Sequence, residues 1–142
     1  MPAANRRAVR EAVMRTVFEC EFRGVDEGWL EIFEKNIAES GLPFEKDFAS
    51  ALLEATFNHS AELKAWIEQL APEWPFHKIA KLDAAVLLVG LAELKFLGEF
   101  NIPPKATLNE FVEIAKNYSD DSSRRLVNGV LSSAKKELEF EK

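Results

Sequence analysis

Apolar positions recur along this chain at three- and four-residue intervals, and glycine, proline or a capping residue breaks the pattern after each stretch. That period belongs to amphipathic helices rather than strands. The spacing predicts about seven helices. The first runs from about Asn5 to Arg23 and stops at Gly24; Asp26 is placed to cap a second, which ends near Ser40 and Gly41. A third spans roughly Phe44 to Phe57, and a fourth starts around Asn58 to Ser60 and ends before Pro72. After W-P-F-H, a strongly apolar helix occupies about Ile79 to Leu97. The turn N-I-P-P-K follows, and Thr107 with Glu110 then fits a capping box, whose side chains satisfy free backbone N–H groups at a helix start. That helix ends near Tyr118, and Asp120 to Ser123 offer several N-caps for the last one. No repeat, low-complexity segment or linker divides the chain, so one domain over residues 1–142 is expected.

Two helices carry more than a core stripe. On the first, Val9, Val13, Thr16, Val17 and Cys20 share one face, while Met14, Phe18 and Phe22 lie nearly opposite, with Arg7 in line at their N-terminal end. A helix apolar on two sides must be covered twice. Either it sits between two halves of the fold, or part of the second stripe, Phe18 above all, docks another protein. On the last helix, Leu126, Val127, Val130, Leu131, Ala134 and Leu138 share one arc. Arg124, Asn128, Ser132 and Lys135 share another, with Arg125 at its edge. Asn128 and Gly129 are both poor helix formers. On a basic, polar face the asparagine reads as a hydrogen-bonding group, and the glycine as a point of close approach for another helix or a nucleic-acid backbone.

Charge changes this picture by its distribution. The whole chain carries a net charge of −6, which argues against a polyanionic partner. Yet the first ten residues hold Arg6, Arg7 and Arg10 and no acid, and residues 119–136 hold four cations, Arg124, Arg125, Lys135 and Lys136, against two acids, Asp120 and Asp121. The acids concentrate in the middle, eleven against three lysines over residues 24–75. Local basic patches, not the total, are what meet a polyanion.

Catalytic chemistry finds little support. His59 and His77 are far apart and lack metal-type spacing, so no metal and no cofactor is expected. Cys20 falls on a core stripe and reads as a buried, inert thiol; alone, it forms no internal disulfide, and it suits the cytoplasm. There is no G-x-S-x-G, no glycine-rich phosphate loop and no H-E-x-x-H. Nor does an apolar run approach the roughly 18 residues that span a bilayer. A protein that is not an enzyme and does not enter a membrane is expected.

Four segments, taken in order, resemble the NusB family of bacterial transcription antitermination factors. They are R-R-A-V-R-E-A-V at 6–13, W-P-F-H-K-I-A-K-L-D-A-A-V-L-L-V-G-L-A-E-L at 74–94, I-P-P-K-A-T-L-N-E-F-V-E-I-A-K-N-Y at 102–118 and L-V-N-G-V-L at 126–131. The resemblance implies an all-α fold of two small packed bundles. It implies binding of single-stranded boxA RNA together with the small-subunit ribosomal protein that acts as NusE, within an RNA polymerase antitermination complex that reads through terminators in ribosomal RNA operons. By the same resemblance, the RNA surface combines Arg6, Arg7 and Arg10 with Arg125, Leu126 and Asn128, to which the shared helix face adds Arg124. The protein partner would meet Phe18 and Asp83.

This chain also departs from the family pattern. Leu126 stands where an aromatic is usual, Leu88 and Ala92 stand where an arginine and an aromatic are usual, and Ala8 replaces a common third arginine. A base stacked on an aromatic ring is stabilised by about 1–3 kcal/mol, so a weaker grip at Leu126 is expected. Two further readings stay open, a helical protein-interaction adaptor with weak or lost RNA specificity, and a relative of the NusB-like domains fused to RNA cytosine methyltransferases. The chain ends at Lys142 without a catalytic domain, which favours a stand-alone factor. A homodimer through the exposed side of the first helix is left open.

Overall fold

Helix α5 (Lys81–Phe96) organises the fold. Every residue from Asp83 to Glu93 is buried, and a helix that is apolar all round must be enclosed on all sides. In the computed structural model, which describes residues 6–24 and 27–140, α5 is enclosed by α1 (Arg6–Arg23), α3 (Lys46–Asn58), α4 (Ser60–Leu70), α6 (Pro104–Tyr118) and α7 (Asp121–Phe140). Helix α2 (Trp29–Ser40) packs on the other side of α1, and short 3-10 turns cover Phe76–Lys78 and Gly98–Phe100. One bundle is α1 to α3 and the other α5 to α7, with α4 laid against α5 and α7. The described residues thus hold seven helices and no strand, as the periodicity predicts.

Helix α1 is covered on both sides. Val9, Val13, Val17 and Cys20 are buried, and so is Met14 of the opposite stripe, because α2 and α5 flank the helix. Phe18 is half-buried and Phe22 exposed, so coverage stops near the helix end. Asp26 and Asn5, expected to cap α2 and to open α1, lie outside the described residues. Helix α2 ends at Gly41, whose left-handed φ of 67° lets its N–H donate to the Ala38 carbonyl at 3.1 Å.

Helix α6 corrects the expected capping box. It begins at Pro104, where a missing N–H costs nothing and φ is already helical. Thr107 and Glu110 therefore lie inside the helix, and both side chains turn to other helices rather than to the helix start. At α7 the expectation holds: the Asp120 carboxylate accepts the Ser123 N–H at 3.0 Å.

A second correction concerns the glycines. A methyl group at Gly129 would meet nothing within 4 Å, so no neighbouring helix explains it. Close packing falls instead at Gly90, where a Cβ would stand 3.1 Å from Leu131 Cδ2 and 3.4 Å from Phe111 Cγ. Gly90→Val is expected to destabilise by about 1–3 kcal/mol through overpacking. Gly129→Ala should stabilise by about 0.5–1 kcal/mol, because the helix gains propensity at no steric cost. Urea denaturation of both variants checks the pair.

Candidate nucleic-acid interface

The three N-terminal arginines leave α1 on different sides, and each meets a carboxylate from distant sequence. Arg6 Nε and Nη2 donate to Glu45 at 2.8 and 3.1 Å, with the guanidinium also 4.8 Å from the Phe48 ring centre. Arg7 Nε and Nη2 donate to Glu110 of α6 at 3.0 and 2.9 Å. Arg10 Nε and Nη2 donate to Glu93 of α5 at 2.7 and 2.9 Å, and Glu93 also accepts the Thr107 hydroxyl at 2.6 Å. These are bidentate fork pairs, the strongest geometry available to arginine. Three cations thus face three carboxylates, and the basic head read from the sequence carries no net charge at that place.

Exposure separates the three. Arg10 is 5% exposed, so its guanidinium is an internal strut and not a surface group, contrary to its expected place on an RNA surface. Arg7 keeps 42% of its side chain accessible beside Glu110, and Arg6 lies between these limits. The hydrogen bonds from Arg6 and Arg7 hold the Glu45 and Glu110 carboxyls below the usual carboxylate range.

The open face of α7 is different. Arg125 and Asn128 are exposed, and Arg125 has no carboxylate partner among the described residues. Arg124 makes only a 3.5 Å contact to Asp121 one turn earlier. Leu126 is half-buried and packs partly on the core. Tyr118, the last residue of α6, reaches Glu11, one turn beyond Arg7 on α1, at 3.5 Å.

Arg125 and Leu126 also line a cleft of about 590 Å³, opposite Trp74 and Lys78 of the α4–α5 connection. Asp83 lies in its floor, 7% exposed. Its Oδ2 accepts the Ser123 hydroxyl at 2.9 Å. Burial pushes this carboxyl up, with the Ser123 hydrogen bond opposing and Asp120 adding repulsion. Asp83, expected to face a protein partner, and Arg125 with Leu126, expected to face RNA, therefore share one cleft. Phe18 lies apart from it, 6.1 Å ring to ring from the exposed Phe22, whose own ring lies 5.4 Å from the Lys81 ammonium. Trp74 and Lys78 were not among the expected site residues; no periodicity marks them, because they sit in a connection between helices. Leu88 and Ala92 are buried.

No group of His, Cys, Asp or Glu among the described residues could hold a metal ion. His59 stacks on Phe96 at 4.0 Å between ring centres, and Cys20 is buried, both structural placements. No helix among the described residues is long and apolar enough to cross a membrane.

Comparison with known proteins decides the family. The family model described as NusB matches residues 7–136. The chain belongs to the NusB family. The transcription antitermination protein NusB of Roseiflexus sp. strain RS-1 is 35% identical over 130 residues, 91% of this chain and 90% of its own length. That of Listeria monocytogenes serotype 4a strain HCC23 is 34% identical over 128 residues, 90% of this chain and 94% of its own. Among solved structures, T. maritima NusB superposes with a TM-score of 0.80 at 29% identity, covering 96% of this chain and 97% of that one. Antitermination factors NusB and NusE in complex with double-stranded RNA give a TM-score of 0.81 at 24% identity, covering 94% of this chain and 98% of that one, a likeness of fold. Membership of the NusB family bears out the reading of a protein that is not an enzyme.

Two outcomes follow for this NusB-family chain. Glu93→Ala strands the Arg10 guanidinium in the interior and should cost about 3–5 kcal/mol, whereas Arg7→Ala, at a half-exposed pair, should cost no more than about 1 kcal/mol; denaturant titration of both variants measures the contrast. Because burial raises the Asp83 pKa, its ionisation weighs against folding at every pH above that pKa, and the penalty fades as pH falls through it. Asp83→Asn, which still accepts the Ser123 hydroxyl, should therefore melt above the parent at pH 7 and converge with it in acid. Paired thermal melts across that range test the sign.

Proposed function

We propose that this protein is a cytoplasmic transcription antitermination factor that binds single-stranded boxA-type RNA jointly with the ribosomal protein NusE. In that role it helps RNA polymerase read through terminators in ribosomal RNA operons. The observation that carries the RNA reading is the open face of α7, where Arg125 stands exposed without a carboxylate, beside Arg124 and Asn128. Relatives of similar length are transcription antitermination proteins, and a protein of the same fold forms a complex with NusE and double-stranded RNA.

Arginines on this face fix phosphates, and the Asn128 amide reads the edge of an unpaired base. Gly129 leaves the backbone beside Asn128 uncovered, which suits close approach of an RNA strand. Arg7 joins this surface by exchanging Glu110 for a phosphate, so its contribution is discounted by the pair it gives up. Arg10 acts indirectly, by holding α1 on α5. The half-buried Phe18, the exposed Phe22 and Lys81 form the face for NusE, and a homodimer through the same side of α1 would compete with it. Two modest surfaces held by one adaptor raise the effective concentration of each partner for the other.

The neutralised arginine row favours one alternative, a protein-binding adaptor with little RNA selectivity. An anisotropy titration of boxA against scrambled RNA, with and without NusE, separates the two. The antitermination reading expects boxA to bind more tightly, more so with NusE, and Arg125→Ala to weaken binding and flatten the salt slope by about one phosphate contact. Equal affinity for both RNAs, unmoved by Arg125→Ala, favours the adaptor.

A further inference from the structure

The cleft between the α4–α5 connection and the first turns of α7 has the chemistry of a nucleotide site. One wall is Trp74, which is 49% exposed and the most open of the three tryptophans. Trp29 by contrast stacks on Phe57 at 4.9 Å, and Trp66 is buried. The rim carries Lys78 and Arg125, both exposed and neither paired with a carboxylate among the described residues. The acids of the cleft are already engaged by α7: Asp120 accepts the Ser123 N–H at 3.0 Å and Asp83 the Ser123 hydroxyl at 2.9 Å. The cations are therefore the groups left to meet a ligand. A volume of about 590 Å³ also falls within the range of small-ligand sites.

We infer that this cleft is a nucleotide subsite, in which one unpaired base of the bound RNA stacks on Trp74 and its flanking phosphates face Lys78 and Arg125. The inference rests on the RNA-binding reading above and adds a residue to it. It also accounts for Leu126. This position supplies no ring, but it lines the same cleft as Trp74, so the aromatic surface comes from the opposite wall. Indole stacking accepts any base, because every base has a π face.

The test uses the full chain and a fluorescein-labelled boxA-type RNA, together with a series in which an abasic nucleotide replaces each position in turn. Trp74→Ala should weaken binding about 5- to 150-fold, and Trp74→Phe much less. In the parent, one abasic position should cost affinity that Trp74→Ala has already lost, so the two losses are not additive at that position alone. Intrinsic tryptophan fluorescence should fall as unlabelled RNA is added, and Trp74→Phe should remove most of that change. Unchanged RNA affinity in Trp74→Ala, or additive losses at every position, would overturn the subsite. Loss of NusE binding with RNA affinity intact overturns it too and assigns the cleft to the protein partner. Because stacking tolerates sequence, the series run on a scrambled strand still reads the subsite if boxA preference is absent; in that case boxA recognition fails while the subsite stands. No RNA binding by the parent overturns both.

Discussion

Arg10 and Glu93 meet inside the protein at 2.7 and 2.9 Å, and the rest of the architecture is arranged around keeping them together. A buried ion pair is tolerable only when the geometry is near ideal and the remaining hydrogen-bonding capacity is filled. Here the guanidinium is bidentate, Glu93 takes a second donor from Thr107, and Arg10 Nη1 lies 3.5 Å from Glu110. The pair thus ties α1, α5 and α6 at one point. Any rearrangement that separates these helices leaves a charge in a low-dielectric interior, so the two bundles are held in one relative placement by chemistry as well as by apolar packing.

That constraint shapes function through charge. Fixing Arg10 inside orients α1 so that Arg7 finds Glu110 and Arg6 finds Glu45, which neutralises the N-terminal basic cluster. The cations without a carboxylate partner among the described residues include Arg125 at the start of α7 and Lys78, which lines the same cleft. A chain with a net charge of −6 can still present exposed cations at one edge, because its charges are unevenly distributed along the sequence.

Much of the fold was legible in the residues. The apolar period of α5, the double stripe of α1 and the arc of α7 each predicted how the helix is buried, since helical geometry alone maps sequence spacing onto faces. Asp120 as a cap was legible for the same local reason. The capping-box motif at Thr107 and Glu110 misleads because the helix already begins one turn earlier, at Pro104, and both side chains are taken by partners on other helices. Gly129 drew attention as a glycine in a patterned helix, yet the close contact lies at Gly90, packed against Leu131 of the same segment; which glycine faces a neighbour depends on packing between helices.

The sequence by itself determined the seven-helix all-α character and the polar face of α7, along with the segments that mark the NusB family, because each follows from short-range spacing or from motif identity. Only the tertiary structure decided which charges are available. Arg6, Arg7 and Arg10 stand within five residues of one another, but their partners lie 39, 103 and 83 residues away. No local pattern marks such pairs. The cleft joining Trp74, Asp83 and Arg125 has the same origin, since it exists only where a connection between two helices is laid against the beginning of a third.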